Sequence, residues 1–204
     1  MRHFSFRPAF TFHGRTFKGL RGWSGKPLHP PLTDVPVGAY LLAAVFDVIS
    51  IAGQHQGWAR DFYRAGTFAF IGGAAVSVLA AVTGFWDRLR STEPGTQARR
   101  TANAHAITMI TVTVLALANI ALRVFAYPDD AHTGVVVLVV SLATVALVVA
   151  GAALGGSLVY EYGFNVETAD DSPVWHRSER DVLPGAPEEP PVQVEEVTAR
   201  RGAA

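Results

Sequence analysis

Residues 133–158 read TGVVVLVVSLATVALVVAGAALGGSL, a run without one formal charge. It is longer than the ~20 apolar residues that cover a ~30 Å hydrocarbon core. It also lacks the polar stripe carried by a helix on the surface of a soluble core. Three further stretches have the same character: Val35 to Gly53, Ala65 to Phe85 and Ala104 to Ala126. The sequence therefore predicts an all-α fold, a four-transmembrane-helix bundle with helices at about 35–53, 65–85, 104–126 and 133–158. Around it the chain divides into a basic, Phe-rich segment 1–33, the membrane domain 34–163, and a disordered, acidic tail 164–204.

Net charge and composition hide this organisation, since Lys plus Arg equals Asp plus Glu at 17 each and the apolar share is 50%. Along the chain the charges segregate. Asp47 is the one formal charge well inside an apolar stretch, with Arg123 at the edge of the third. The first 33 residues hold six Lys or Arg and no acid, and the last 45 hold ten acids against four Arg. A charge-poor middle between charged ends is what an apolar solvent imposes.

Positively charged loops are retained in the cytoplasm. The segment before the first stretch (Arg2, Arg7, Arg15, Lys18, Arg21, Lys26) and the connection between the second and third (Arg88, Arg90, Arg99, Arg100) are the basic ones. The expected orientation is multi-pass in the inner membrane, both termini cytoplasmic. No continuous apolar run of the signal-peptide kind occurs in the first 30 residues, so no cleavable leader is expected. Cysteine is absent, which excludes disulfides and thiolate metal sites within this sequence. The aromatics Phe4, Phe6, Phe10, Phe12, Phe17 and Trp23 among the basic residues suit the lipid headgroup layer. The basic segment reads either as lying on anionic lipid or as a loosely ordered, positively charged leader; lipid is the more economical partner, and no nucleic acid partner is expected. The proline-rich acidic tail cannot bury enough surface to fold alone.

Helices packing in lipid need small residues where their backbones meet. Pro36, Tyr40, Ala43, Asp47, Ser50 and Gly53 share one face of the first stretch; Gly73, Ser77, Ala80 or Ala81, and Gly84 one face of the second. Ser141, Thr144, Gly151 and Gly155 do so in the fourth, the glycine pair serving contacts within the chain rather than dimerisation. In the third, Thr108, Thr111 and Asn119 are expected to face inward.

Polar residues at membrane depth are the place to look for chemistry. Asp47 lies about 12 residues into its stretch, roughly 18 Å at ~1.5 Å per residue, in the outer half of the bilayer, and Asn119 reaches a similar depth. The pair reads either as a protonatable or ion-coordinating site or as a hydrogen bond fixing helix register; the second is simpler. At the cytoplasmic ends His29, Asp34, Asp87, Arg88, Arg90, Asn103 and His105 converge. Two imidazoles are the minimum protein set for haem b, and imidazole with carboxylate suits a divalent metal. Against this, Pro30 and Pro31 place His29 on an extended segment, and both histidines have a plainer use as hydrogen-bonded ties. His55 and His132 fall in the outer loops, where solvation accounts for them. No GxSxG, HExxH, P-loop or dinucleotide-binding glycine motif is present.

The run Gly25 to Gly38 (GKPLHPPLTDVPVG) followed by Val45-Phe46-Asp47 resembles the opening of domain-of-unknown-function family 2231, small bacterial membrane proteins. Thr83-Gly84-Phe85-Trp86-Asp87 is similar to that family's second-helix exit, Ala104-His105-Ala106 to its third-helix start, and Gly155 to Gly163 (GGSLVYEYG) to its end. The likeness covers about residues 24–165. It implies no established activity. Some relatives are joined to Rieske-type or other redox modules, which favours a haem and electron-transfer reading; this sequence carries no such module and has no cysteines for a Rieske centre. Asp34 stands where some members have a second histidine, and Ser157 where an acid is expected.

Two classes of function follow: a non-catalytic membrane bundle that binds a protein partner or stabilises a membrane complex, and a redox subunit holding haem b or a metal on His29 and His105. Proton or ion handling through Asp47 is a third, weaker option, because no broken helices or inverted repeat accompany it.

Overall fold

The computed structural model describes residues 19–20 and 27–166. Most of the basic, Phe-rich segment, with all its named aromatics, and all of the acidic tail but 164–166 therefore lie outside the described residues. Four helices make up the described part: α1 (His29–Ala52), α2 (Ala59–Ser91), α3 (Gln97–Ala121) and α4 (Val135–Tyr160). A π-helical turn, Leu122–Ala126, prolongs α3. Each helix is long and apolar enough to cross a membrane.

Helices α1, α2 and α3 begin before their apolar stretches, and α2 also runs past the end of its own, because backbone hydrogen bonding does not stop where charge begins; α4 keeps the length of its stretch. With 33 residues, α2 is about 50 Å long at ~1.5 Å per residue, well beyond a ~30 Å hydrocarbon core. Its charged ends emerge, with Arg88 set over the Phe85 ring and Arg90 over Trp86, the aromatic and cationic pairing of a membrane interface. At the start of α1 the expectation fails more sharply. His29 is the first residue of the helix, not part of an extended strap. Prolines are tolerated in a first turn, where the missing N–H has no intrahelical partner to lose.

Packing is by hairpins: α1 lies chiefly against α2 and α3 against α4, with lighter contact between the two pairs. Tyr40, Ala43, Phe70, Val112, Ala116 and Val148 form the apolar core, where the Tyr40 hydroxyl meets Ser77 Oγ at 2.9 Å. Large apolar residues such as Val78, Val82, Ile107, Val114 and Val139 point outward, whereas Asp47, Asn119, Arg123, Thr133, Ser141 and Thr144 are buried. Polar inside and apolar outside is the arrangement that lipid demands.

The buried residues of α3 are Thr101, Ala102, Val112, Ala116 and Asn119, continued by Arg123 in the π turn; of the residues expected to face inward Asn119 is buried, Thr108 is half-buried and Thr111 is exposed. Thr108 and Thr111 donate to the carbonyls of Ala104 and Ile107, four residues back. A hydroxyl satisfied on its own helix can stand on either face, as Thr144 does when it donates to Val140 O while fully buried.

Candidate functional site

Two polar centres lie at opposite ends of the bundle. At the end remote from His29, α1 contributes Asp47 and α3's terminal π turn contributes Arg123, both with fully buried side chains. The guanidinium bonds in four directions. Nη2 donates to Asp47 Oδ2 at 2.5 Å, Nε to Asn119 Oδ1 at 2.6 Å, and Nη1 to Tyr63 O at 3.1 Å and Thr67 Oγ1 at 3.3 Å. Its flat faces lie near the rings of Tyr63 and Phe70, 5.0 and 5.3 Å from their centroids. Asp47 also accepts from the hydroxyls of Ser141 and Thr133. Asn119 completes the net by donating to Val137 O and Ser141 Oγ. Ser50 donates to Ala59 O and accepts from Thr133 N. All four helices thus meet in one hydrogen-bonded knot, and Gly66 leaves it room: a Cβ there would stand 3.2 Å from Asp47 Oδ1 and 3.3 Å from Arg123 Nη1.

Sequence reasoning singled out Asp47 and Asn119 but left Arg123 at a loop edge. The signal was present. Residue 123 lies 18 positions after His105, about 27 Å along the rising helix at ~1.5 Å per residue, which brings it to the depth of Asp47. A buried carboxylate needs a counter-charge at its own depth.

At the other end His29 on α1 and His105 on α3 approach across the seam between the hairpins, ring centroids 6.4 Å apart and planes 85° to each other. His29 Nδ1 lies 2.9 Å from Ala80 O on α2, and His105 Nδ1 lies 2.9 Å from Gly151 O on α4. A carbonyl only accepts, so Nδ1 carries the proton in each ring and the neutral imidazole keeps a lone pair on Nε2. Neither Nε2 has a hydrogen-bond partner among the described residues, and neither is a sealed orphan, since Ser91 Oγ is the one such atom there. Each ring sits against a glycine. A Cβ on Gly84 would come within 2.6 Å of His29 Cε1, and one on Gly155 within 3.2 Å of His105 Cε1.

The rest of the expected cluster divides. Asp87 is buried and accepts from Leu20 N at 2.9 Å. Arg88 Nε donates to Asn103 Oδ1 at 2.7 Å, joining α2 to α3 two residues before His105. Asp34 is exposed on α1 and bonds to neither histidine. At the opposite end the loop residue Asp129 pairs with Arg64 at 2.7 Å and Arg60 at 3.5 Å, both in the first turns of α2. The Arg64 hydrogen bond and charge hold its carboxyl below the ordinary range.

Four apolar helices with their polar residues turned inward define a multi-pass membrane protein. The chain belongs to the family described as "Predicted membrane protein (DUF2231)", whose profile matches residues 25–168. No curated protein and no solved structure matches it.

Proposed function

We propose that the chain is a non-catalytic inner-membrane bundle that acts by association, binding a protein partner or stabilising a membrane complex. The observation that carries this reading is the saturation of the knot around Asp47. A proton relay or ion carrier needs a group that can be loaded and unloaded. Asp47 is instead enclosed and occupied by Arg123, Ser141 and Thr133. Such a centre fixes register, the best attested use of a buried polar pair, and leaves the bundle's surfaces and its charged terminal segments for recognition.

The test is reconstitution. Proteoliposomes given a proton, Na⁺ or K⁺ gradient should leak no faster than empty vesicles, while mild-detergent extracts of native membranes should carry the protein in an assembly of fixed size. A flux abolished by Asp47→Asn would overturn the reading, as would migration as the bare chain. For the orientation, a cytoplasm-active reporter fused after Ala204 should be active; silence there with activity from a periplasmic reporter would reverse it.

A second reading, a redox subunit, is favoured by one specific observation: the two imidazoles at the histidine end keep Nε2 uncommitted while Nδ1 is held.

A further inference from the structure

We infer that His29 and His105 are the two axial ligands of one haem b, an assignment that rests on the redox reading and specifies it. Ligating imidazoles characteristically donate their other N–H to a carbonyl or carboxylate, which fixes the tautomer and steadies the ring. Both histidines have that support, each from the partner helix of its own hairpin. Two imidazoles on opposite sides of one metal, with metal–nitrogen bonds of about 2.0–2.1 Å, place their centroids about 6.3 Å apart. The observed separation is 6.4 Å. Packed histidines with no metal between them are under no such constraint on distance.

The ligand count selects the cofactor. Among the described residues no group of three or more His, Asp or Glu could hold a metal ion, so a bare divalent cation would lack most of its coordination sphere. A porphyrin brings four nitrogens of its own and needs two more ligands, the number available here. Arg88, one turn beyond Gly84 on α2 and bonded to Asn103 beside His105, puts positive charge at the end where haem propionates would emerge. With both axial positions filled by protein, the iron has no open site for substrate. The group would serve one-electron exchange rather than oxygen chemistry.

The experiment is to purify the full chain in detergent after expression with haem precursor, and record absorbance before and after dithionite, metal content, and the ferric EPR spectrum. The expected result is one haem per chain, a sharp reduced α-band, and the highly anisotropic low-spin signal that near-perpendicular imidazole planes produce. His29→Ala and His105→Ala should each abolish that six-coordinate spectrum, and free imidazole should restore it in the purified variants. Because His29 also ties α1 to α2, Gly84→Ala is the companion variant. It keeps both ligands but displaces the His29 ring, and should weaken haem retention by about ten-fold or more and shift the EPR signal. Haem bound with a spectrum indifferent to all three substitutions would overturn the ligand assignment and leave the redox reading standing. A flat spectrum with no stoichiometric metal, in haem-supplied cells, would overturn both.

Discussion

Arg123 Nη2 lies 2.5 Å from Asp47 Oδ2, joining residues 76 positions apart at a point where neither side chain reaches solvent. Either charge alone would oppose insertion, by at most the ~2.5–3.5 kcal/mol that translocon scales assign to a helix centre, since both lie towards one end of the bundle. Paired, they become a geometric condition. The guanidinium fork can satisfy Asp47, Asn119, Thr67 and the Tyr63 carbonyl together only when α1, α2 and α3 are in one register, and Ser141 adds α4. A buried pair of this kind contributes specificity more than net stability.

Removing one partner should therefore be far worse than removing both. Asp47→Ala and Arg123→Ala each strand a buried charge and are expected to cost about 3–5 kcal/mol. The loss should appear as a lower midpoint when purified protein is titrated with SDS. The double variant should lose less than the sum, with a coupling of about 0.5–3 kcal/mol; strictly additive losses would mean the ion pair contributes nothing. Arg123→Lys should not rescue, because an ammonium cannot replace a planar fork spanning four acceptors.

The bundle was legible because lipid writes a simple rule into sequence, apolar over ~20 residues, and the inward faces of α1 and α4 followed from where small and polar residues recur. Pro36, Tyr40, Ala43, Asp47 and Ser50 are all buried, as are Ser141, Thr144 and Gly151. Reading failed where one residue type has two uses. Threonines on α3 look like packing residues, yet they satisfy themselves on their own helix. Pro30 looks like a helix breaker, yet at a first turn it is a helix starter. Arg123 looks like a loop cation because Tyr127 and Pro128 follow closely. The π-helical turn, closed by Tyr127 N on Leu122 O at 2.8 Å, keeps it within the bundle, and no periodicity in the sequence announces that turn.

The second prediction concerns the clasp between Arg64 and Asp129. Asp129's carboxyl is depressed by the Arg64 hydrogen bond and charge, with Arg60 adding to them. A depressed acid contributes its stabilisation above the unfolded pKa and loses it as pH falls through the folded one. A spin label on Ala131 should accordingly keep its neutral-pH mobility down through the ordinary carboxylate range near about 3.9 and loosen only below it. Arg64→Gln should loosen the label already at neutral pH and leave no further step below that range. The SDS midpoint should hardly move, since the side chains of both partners are at least half exposed and such pairs are screened by solvent. A label loosening between pH 5 and 7 in the parent protein would contradict the assignment.

Gly66 sits where α2 passes the ion pair, and its missing side chain is part of the knot's geometry. A methyl group there would lie 3.2 Å from Asp47 Oδ1, 3.3 Å from Arg123 Nη1 and 3.4 Å from Ala43 O. None of the three can retreat cheaply, because two belong to a buried, hydrogen-bonded ion pair and the third to the backbone of α1. Overpacking of this sort typically costs about 1–3 kcal/mol, against which the better helix propensity of alanine returns about 1 kcal/mol. Gly66→Ala should therefore lower the SDS midpoint modestly. In an Asp47→Ala, Arg123→Ala background the same substitution should become neutral or stabilising, because two of its three obstacles are gone. An equal loss in both backgrounds would place the strain on the α1 backbone instead of the ion pair.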